Sequence, residues 1–153
     1  MGSDSDPSRQ HEMAAMEKRI NEMVQQSRVL EAYMNDVMTR QVTVTRLMEE
    51  ARLASTTIQN ITSEFEVESL MPVGLGVYVK TMVPPIKKLL VNLGAGAAVE
   101  KSRDDALNYV ESRIKEYEVA ARQLEAQRQE IAMRLDQVQS QINQMIRAAQ
   151  HPG

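Results

Sequence analysis

From Met13 onward, apolar residues recur at alternating intervals of three and four: Met13, Met16, Ile20, Met23, Leu30, Met34, Val37, Val44, Met48 and Ala51. Ser27 and Gln41 are the two polar members of that series. A second run repeats the pattern through Leu107, Val110, Ile114, Tyr117, Ala121, Leu124, Ile131, Leu135, Val138, Ile142, Met145 and Ala149, interrupted only by Arg128. A strict a/d repeat held over about five heptads is the narrow seam of a coiled coil, not the wider stripe of a globular helix. Each run therefore predicts a long helix. After Ala51 the stripe moves to Ala54, Ile58, Ile61 and Phe65, a three-residue slip that locally overwinds a coil.

Every internal Gly and Pro lies between Pro72 and Gly96. Because Gly costs about 1 kcal/mol and Pro about 3 kcal/mol inside a helix, this middle must be built differently. Residues 76–83 alternate as a strand, with Val77, Val79, Thr81 and Val83 on one face, and residues 88–93 do the same with Leu89, Val91 and Leu93. Each finds a partner across a Gly-containing turn: residues 68–72 across Val73-Gly74-Leu75, and residues 97–101 across Gly94-Ala95-Gly96. Two β-hairpins joined at Pro84-Pro85 result. Ser102, followed by Arg103, Asp104 and Asp105, supplies an N-cap and an acidic first turn, which starts the second helix near residue 103.

The expected organisation is a disordered tail over residues 1–12, a coiled-coil helix over 13–66, the hairpins over 67–101 and a second coiled-coil helix over 102–150. The fold class is mainly α with a small β part. Two helices flanking a compact insert must run antiparallel to pack on each other, and the seams then match Met23 with Met145, Leu30 with Val138, Met34 with Leu135 and Val37 with Ile131. Gln41 falls beside Arg128 in that register, a shared polar layer of the kind that fixes alignment. A helix of about 45 residues spans roughly 65–70 Å, more than so small a β module can cover, so the arm is expected to project into solvent.

Composition sharpens this picture. One Phe, four Tyr and no Trp leave little for a compact core, while eleven Met and 42 % hydrophobic residues fit an aliphatic seam. A net charge of -3 gives no basic field for nucleic acid, and residues 13–66 carry six basic against eight acidic groups. With no cysteine, disulfides and thiolate chemistry are excluded and a reducing, cytoplasmic setting is expected. No apolar run approaches the roughly 20 residues of a membrane span, and residues 1–12 lack the basic-then-apolar order of a signal peptide.

Candidate chemistry is sparse. Gly74, Lys80 and Thr81 fit a phosphate-binding loop, but Val79 stands where that motif needs Gly, and Met82-Val83-Pro84-Pro85 cannot open the required helix. A strand is the better reading. The two histidines, His11 and His151, lack the partners of a metal site. The carboxylates sit among Lys and Arg on solvated faces, and no nucleophile, base and orienting group come together, so no catalysis and no cofactor are expected. The Met cluster near the two chain ends carries two open readings, coiled-coil core or a soft apolar surface for binding varied partners.

Leu70-Met71-Pro72-Val73-Gly74-Leu75-Gly76 at the first turn and Val91-Asn92-Leu93-Gly94-Ala95-Gly96 running on to Lys101 at the second, set inside one coiled coil, resemble the alpha-type subunit of prefoldin over about residues 13–150. The resemblance implies a hexamer of two alpha and four beta subunits, with hairpins joined in an oligomeric β-barrel and coiled coils hanging from it. Their tips would hold unfolded client proteins without ATP and pass them to a group II chaperonin. Client contact is then expected at Met13, Met16, Ile20, Met23, Val24, Ile142, Met145, Ile146 and Ala149, and assembly through Val77, Val79, Leu89, Val91, Leu93 and Val99. Pro84-Pro85 departs from the charged linker expected between the hairpins. The residues agree with the resemblance on one point: two isolated hairpins with unpaired edges are not stable alone, so partner subunits are needed. The competing reading is a structural or RNA-binding helical arm, which would want a basic face and has no use for two hairpins.

Overall fold

The computed structural model describes residues 6–61 and 64–150. Two helices, α1 (Pro7–Asn60) and α2 (Arg103–Gln150), enclose four strands: β1 (Val67–Gly74), β2 (Val77–Val83), β3 (Lys88–Gly94) and β4 (Ala97–Ser102). Helix α1 starts earlier than the a/d pattern suggests, because Asp6 and Pro7 form a start signal. The Asp6 carboxylate accepts from the Ser8 N–H at 3.1 Å, and Pro7 takes the first helical position, where its missing N–H costs nothing. Residues 7–12, expected in a disordered tail, are therefore helical. His11 is exposed on that helix, and His151 lies outside the described residues.

The chain divides into two compact units. One joins the α1 segment up to Val42 with the α2 segment from Arg122, and the other runs Thr43–Ala121. In the first unit Leu30, Val138 and Ile142 form a buried cluster, against which Ile20, Met23, Val24, Ile131 and Leu135 pack. Val37 and Leu124 are also buried, and Val37 and Ile131 line one cleft, so the helices run antiparallel here. Burial follows the heptad: in both helices the a/d residues are buried or half-buried, with only Met13 and Ala149 exposed.

In the second unit Ala106 and Ile114 are buried, and Ser55, at 5 % exposure, is a buried polar residue of the slipped stretch. Its hydroxyl donates to Glu111 and accepts from the Gln59 amide at 3.1 Å, so burial leaves it satisfied. Ala54, Ile58 and Ile61 are half-buried as the slipped stripe requires, but Phe65 lies beyond the end of α1 and is exposed. That end is set from outside the helix. No basic residue stands in the last turn of α1. Instead Arg103, the first residue of α2, donates from Nε to the carbonyl oxygens of Ile58 (3.1 Å) and Ile61 (2.7 Å), and from Nη2 to that of Gln59 (2.8 Å). Ser102 caps α2 by accepting from the Asp105 N–H at 3.1 Å, with Asp104 and Asp105 in the first turn.

The strands form two separate antiparallel pairs, β1 with β2 and β3 with β4. Met71 lies opposite Val79, and Val91 opposite Val99. Each pair carries a register break, between Pro72 and Gly74 and between Asn92 and Gly94, so Val73 and Leu93 are extra residues before two-residue turns. The first turn is therefore Leu75-Gly76, one step beyond the expected Val73-Gly74-Leu75, because the bulge absorbs a residue. Leu75 (φ 52°) and Gly76 (φ 77°) are both left-handed, as are Ala95 (φ 51°) and Gly96 (φ 78°). That is the type I′ geometry whose twist matches paired strands.

Candidate functional site

Two surfaces stand out, one at the chain-terminal end of the coiled coil and one on the hairpins. At the first, exposure rises toward the ends of the helices. Ile142 is only 6 % exposed and belongs to the seam, and Ile20, Met23 and Val24 pack against it. Met16 and Met145 are half-buried, Ile146 and Ala149 are exposed, and Met13 reaches 72 % exposure. The nine candidate client residues thus divide: four form core or its immediate flank, and five form a graded apolar surface. The physical reason is that a two-helix coil buries only its seam, and the seam loses its covering partner at the helix ends.

At the other end of the same unit lies a polar layer. The Gln41 amide donates to Glu125 Oε2 at 2.9 Å, and Arg128 donates to both carboxylate oxygens, at 2.9 Å from Nε and 2.6 Å from Nη2. Arg128 first, then Gln41, hold the Glu125 carboxyl well below its usual range, at about 2. Gln41 and Arg128 do share a layer, but through Glu125, a residue outside the a/d series that supplies the acceptor both need.

On the hairpins, Val77, Val79, Leu93 and Val99 are exposed, whereas Leu89 and Val91 are half-buried. Leu89 and Val91 turn toward the helices of their own chain. There they line a groove of about 640 Å³ together with Leu53, Ala54 and Ile58 of α1 and Ala106, Tyr109 and Val110 of α2. The six candidate assembly residues are therefore four open to a partner and two facing this groove. Hairpin β1–β2 exposes Leu70, Met71, Val73, Tyr78 and Met82 as well, on both faces. A two-stranded sheet cannot cover two faces.

Lys80 and Thr81 lie within β2, with Lys80 opposite Leu70 and the Thr81 hydroxyl donating to the Ser69 carbonyl at 3.3 Å. The Gly74–Gly76 segment closes a hairpin and opens no helix. Among the described residues no three His, Asp or Glu side chains gather in a way that could hold a metal ion, and no helix is long and apolar enough to cross a membrane.

An antiparallel two-helix coil that carries two tandem hairpins between its helices is a distinctive combination, and comparison with known proteins agrees with it. Residues 30–148 match the family profile described as prefoldin subunit. The chain belongs to the prefoldin family. Among its relatives, the prefoldin subunit alpha of Nitrosopumilus maritimus (strain SCM1) is 38 % identical over 137 residues, covering 90 % of this chain and 94 % of that one. Prefoldin subunit alpha 1 of Thermococcus kodakarensis is 34 % identical over 106 residues, 69 % of this chain and 73 % of the relative. A filamentous prefoldin from Methanocaldococcus jannaschii, solved by cryo-electron microscopy, has the same fold, with a TM-score of 0.60 at 22 % identity over 79 % of this chain and 98 % of that one. The likeness is to the alpha class, so this is a prefoldin chaperone subunit of alpha type. Three features of this prefoldin chain have no local sequence signal: the Arg103 clamp, the Glu125 bridge and the groove. Each depends on residues about 40 to 85 positions apart that the fold brings together.

Proposed function

We propose that this chain co-assembles with beta-type prefoldin subunits, two alpha with four beta, through the edges and exposed faces of its hairpins. We propose further that it holds unfolded protein, without ATP, at the chain-terminal end of its coiled coil and passes it to a group II chaperonin in the cytoplasm. The observation that carries the client reading is the gradient of apolar exposure, from buried Leu30, Val138 and Ile142 to open Met13, Ile146 and Ala149. A methionine-rich surface whose packing loosens toward a helix end can adapt to varied apolar segments at little cost in opening. For assembly, the support is the four unpaired strand edges and the apolar faces of two sheets too small to be stable alone.

The test is light scattering of a denatured protein diluted into the assembled complex. Replacing Met13, Met16, Met145 and Ile146 by Ser should leave oligomer size and melting temperature nearly unchanged and weaken holding several-fold. Undiminished holding by that variant would place client contact elsewhere. Val79→Lys with Val99→Lys should leave the helices intact by circular dichroism and break the complex; survival of the complex would refute assembly through the hairpins.

A further inference from the structure

From Arg103 to Asp136, charged residues recur every few positions along α2, and Arg113 with Glu116 and Arg134 with Glu130 form the short-range ion pairs that such faces carry. Near the chain-terminal end this stops. No charged residue stands between Asp136 and Arg147, where the exposed polar side chains are Gln137, Gln139, Ser140, Gln141, Asn143 and Gln144. On α1, Gln25 and Gln26 are exposed at the same level, which is fixed by Met23 and Val24 packing against the cluster that contains Ile142. The Gln139 amide donates to Asn143 Oδ1 at 3.2 Å; among the described residues, Gln137, Gln141 and Gln144 have no partner in the protein. The last turns of α1 are also uncharged, but there Thr56 and Thr57 donate to carbonyls of their own helix and Gln59 to Ser55. Helix stability does not account for the band, since Ser140 and Asn143 are poorer helix formers than Lys or Glu would be.

The band runs directly into the apolar end of the arm. Gln139, Asn143 and Ile146 follow at intervals of four and three, so they form one row on α2 that passes from amide to exposed apolar side chain. An unfolded polypeptide brings both apolar side chains and peptide N–H and C=O groups without partners. Pressing it onto Met145 and Ile146 buries the first and strips water from the second, and a peptide group stripped of water without a new partner opposes binding. A carboxamide offers one donor group and one acceptor, the pair that a peptide group needs, and carries no charge. We infer that the amide band bonds the backbone of an extended, unfolded polypeptide beside the apolar tip, and that its neutrality makes holding indifferent to the net charge of the client. Charged side chains at these positions would also bond a backbone, but they would attract clients of one sign, repel the other and make holding depend on salt. A neighbouring helix does not suit the band, because its peptide groups are already bonded within it. This inference rests on the reading that clients are held at the chain-terminal end, and it adds the polar half of that site and its selectivity.

The test uses the full chain assembled with one beta-type partner throughout. Gln139, Gln141 and Gln144 are changed together to Ala, to Glu or to Lys, all good helix formers, so circular dichroism and oligomer size should match the parent. The quantity read is the chaperone concentration that halves light scattering from two denatured test proteins, one strongly acidic and one strongly basic, at low and at high salt. The parent should need nearly the same concentration for both clients at either salt level. The Ala variant should need about twofold to tenfold more for both, the equivalent of roughly one lost hydrogen bond. The Glu variant should favour the basic client and the Lys variant the acidic one, each several-fold at low salt, with the difference closing at high salt. An Ala variant that holds like the parent, charged variants that do not discriminate, or a parent that already does, would overturn the inference. An altered oligomer would place the band against a partner subunit and overturn it too. The change of Met13, Met16, Met145 and Ile146 to Ser separates the two readings: if it weakens holding and the Ala variant does not, the amide band alone fails, and if it leaves holding undiminished, the client site at this end fails as well.

Discussion

Replacing Arg103 by Met would remove the guanidinium and keep most of the aliphatic stem, so its effect reports mainly on the three bonds that close the end of α1, since the ion pair lost with exposed Asp104 contributes little. Those bonds run 2.7, 2.8 and 3.1 Å to the carbonyls of Ile61, Gln59 and Ile58. The last carbonyls of a helix have no partner within it, and the dipole there favours a cation. Water can serve the exposed Gln59 bond equally well. The other two are part-buried and charge-assisted; at about 1 kcal/mol each, and close to nothing for the third, Arg103→Met should cost about 2 kcal/mol. For a chain of this size that corresponds to a fall of about 4–8 °C in melting temperature, read by circular dichroism at fixed protein concentration, since assembly also shifts the midpoint. Hydrogen exchange of the amides of residues 57–61 should accelerate as the last turn frays. Arg103→Lys should fall between parent and Met, because a single ammonium keeps the charge but cannot reach three carbonyls in fixed fork geometry. A change below about 0.5 kcal/mol with unaltered exchange would show that solvent serves these carbonyls as well as Arg103 does, and the clamp would be refuted.

Three further outcomes follow from the same geometry. Leu30→Ala opens a cavity between Leu30, Val138 and Ile142 and should destabilise by about 2–3 kcal/mol, the low end of the core range because a two-helix layer can partly collapse; thermal unfolding within 1 °C of the parent would count against that seam. The Glu125 layer should show in acid: its folded pKa, about 2, lies below its ordinary 4.5, so its stabilisation is present above about pH 4.5 and lost as pH falls toward 2. Glu125→Gln should therefore flatten part of the decline in melting temperature across that window, more visibly at low salt, and an unchanged pH profile would contradict the bridge. Lys80→Ala should leave client holding the same with and without ATP, because Lys80 is a strand residue opposite Leu70; nucleotide binding that disappears in this variant would overturn the strand assignment.

The two helices and the two hairpins were legible in the sequence because their signals are local. A 3–4 alternation states which residues face a partner helix, and the structure buries or half-buries that series along both helices, exposing only Met13 and Ala149. Likewise Ser102 caps the bond three residues on, and the Gly-containing segments turn two strands back on themselves. Spacing could also put Gln41 and Arg128 in one layer, since an antiparallel register follows from matching two seams end to end. What lay beyond it was which side chain joins them, because Glu125 flanks the seam beside Leu124 and several flanking side chains could reach such a layer; the packed helices decide which one does. The start of α1 at Pro7 was obscured because no apolar stripe marks its first turn, and the one-residue displacement of the first turn because a bulge at Val73 changes register without changing composition. The division of the assembly valines and leucines between an open face and a groove was decided only by the fold. A strand's alternation says that Leu89 and Val91 share a face, but which side that face turns to depends on where α1 and α2 lie beside it, and Arg103 reaching back to the last carbonyls of α1 is part of what sets that junction.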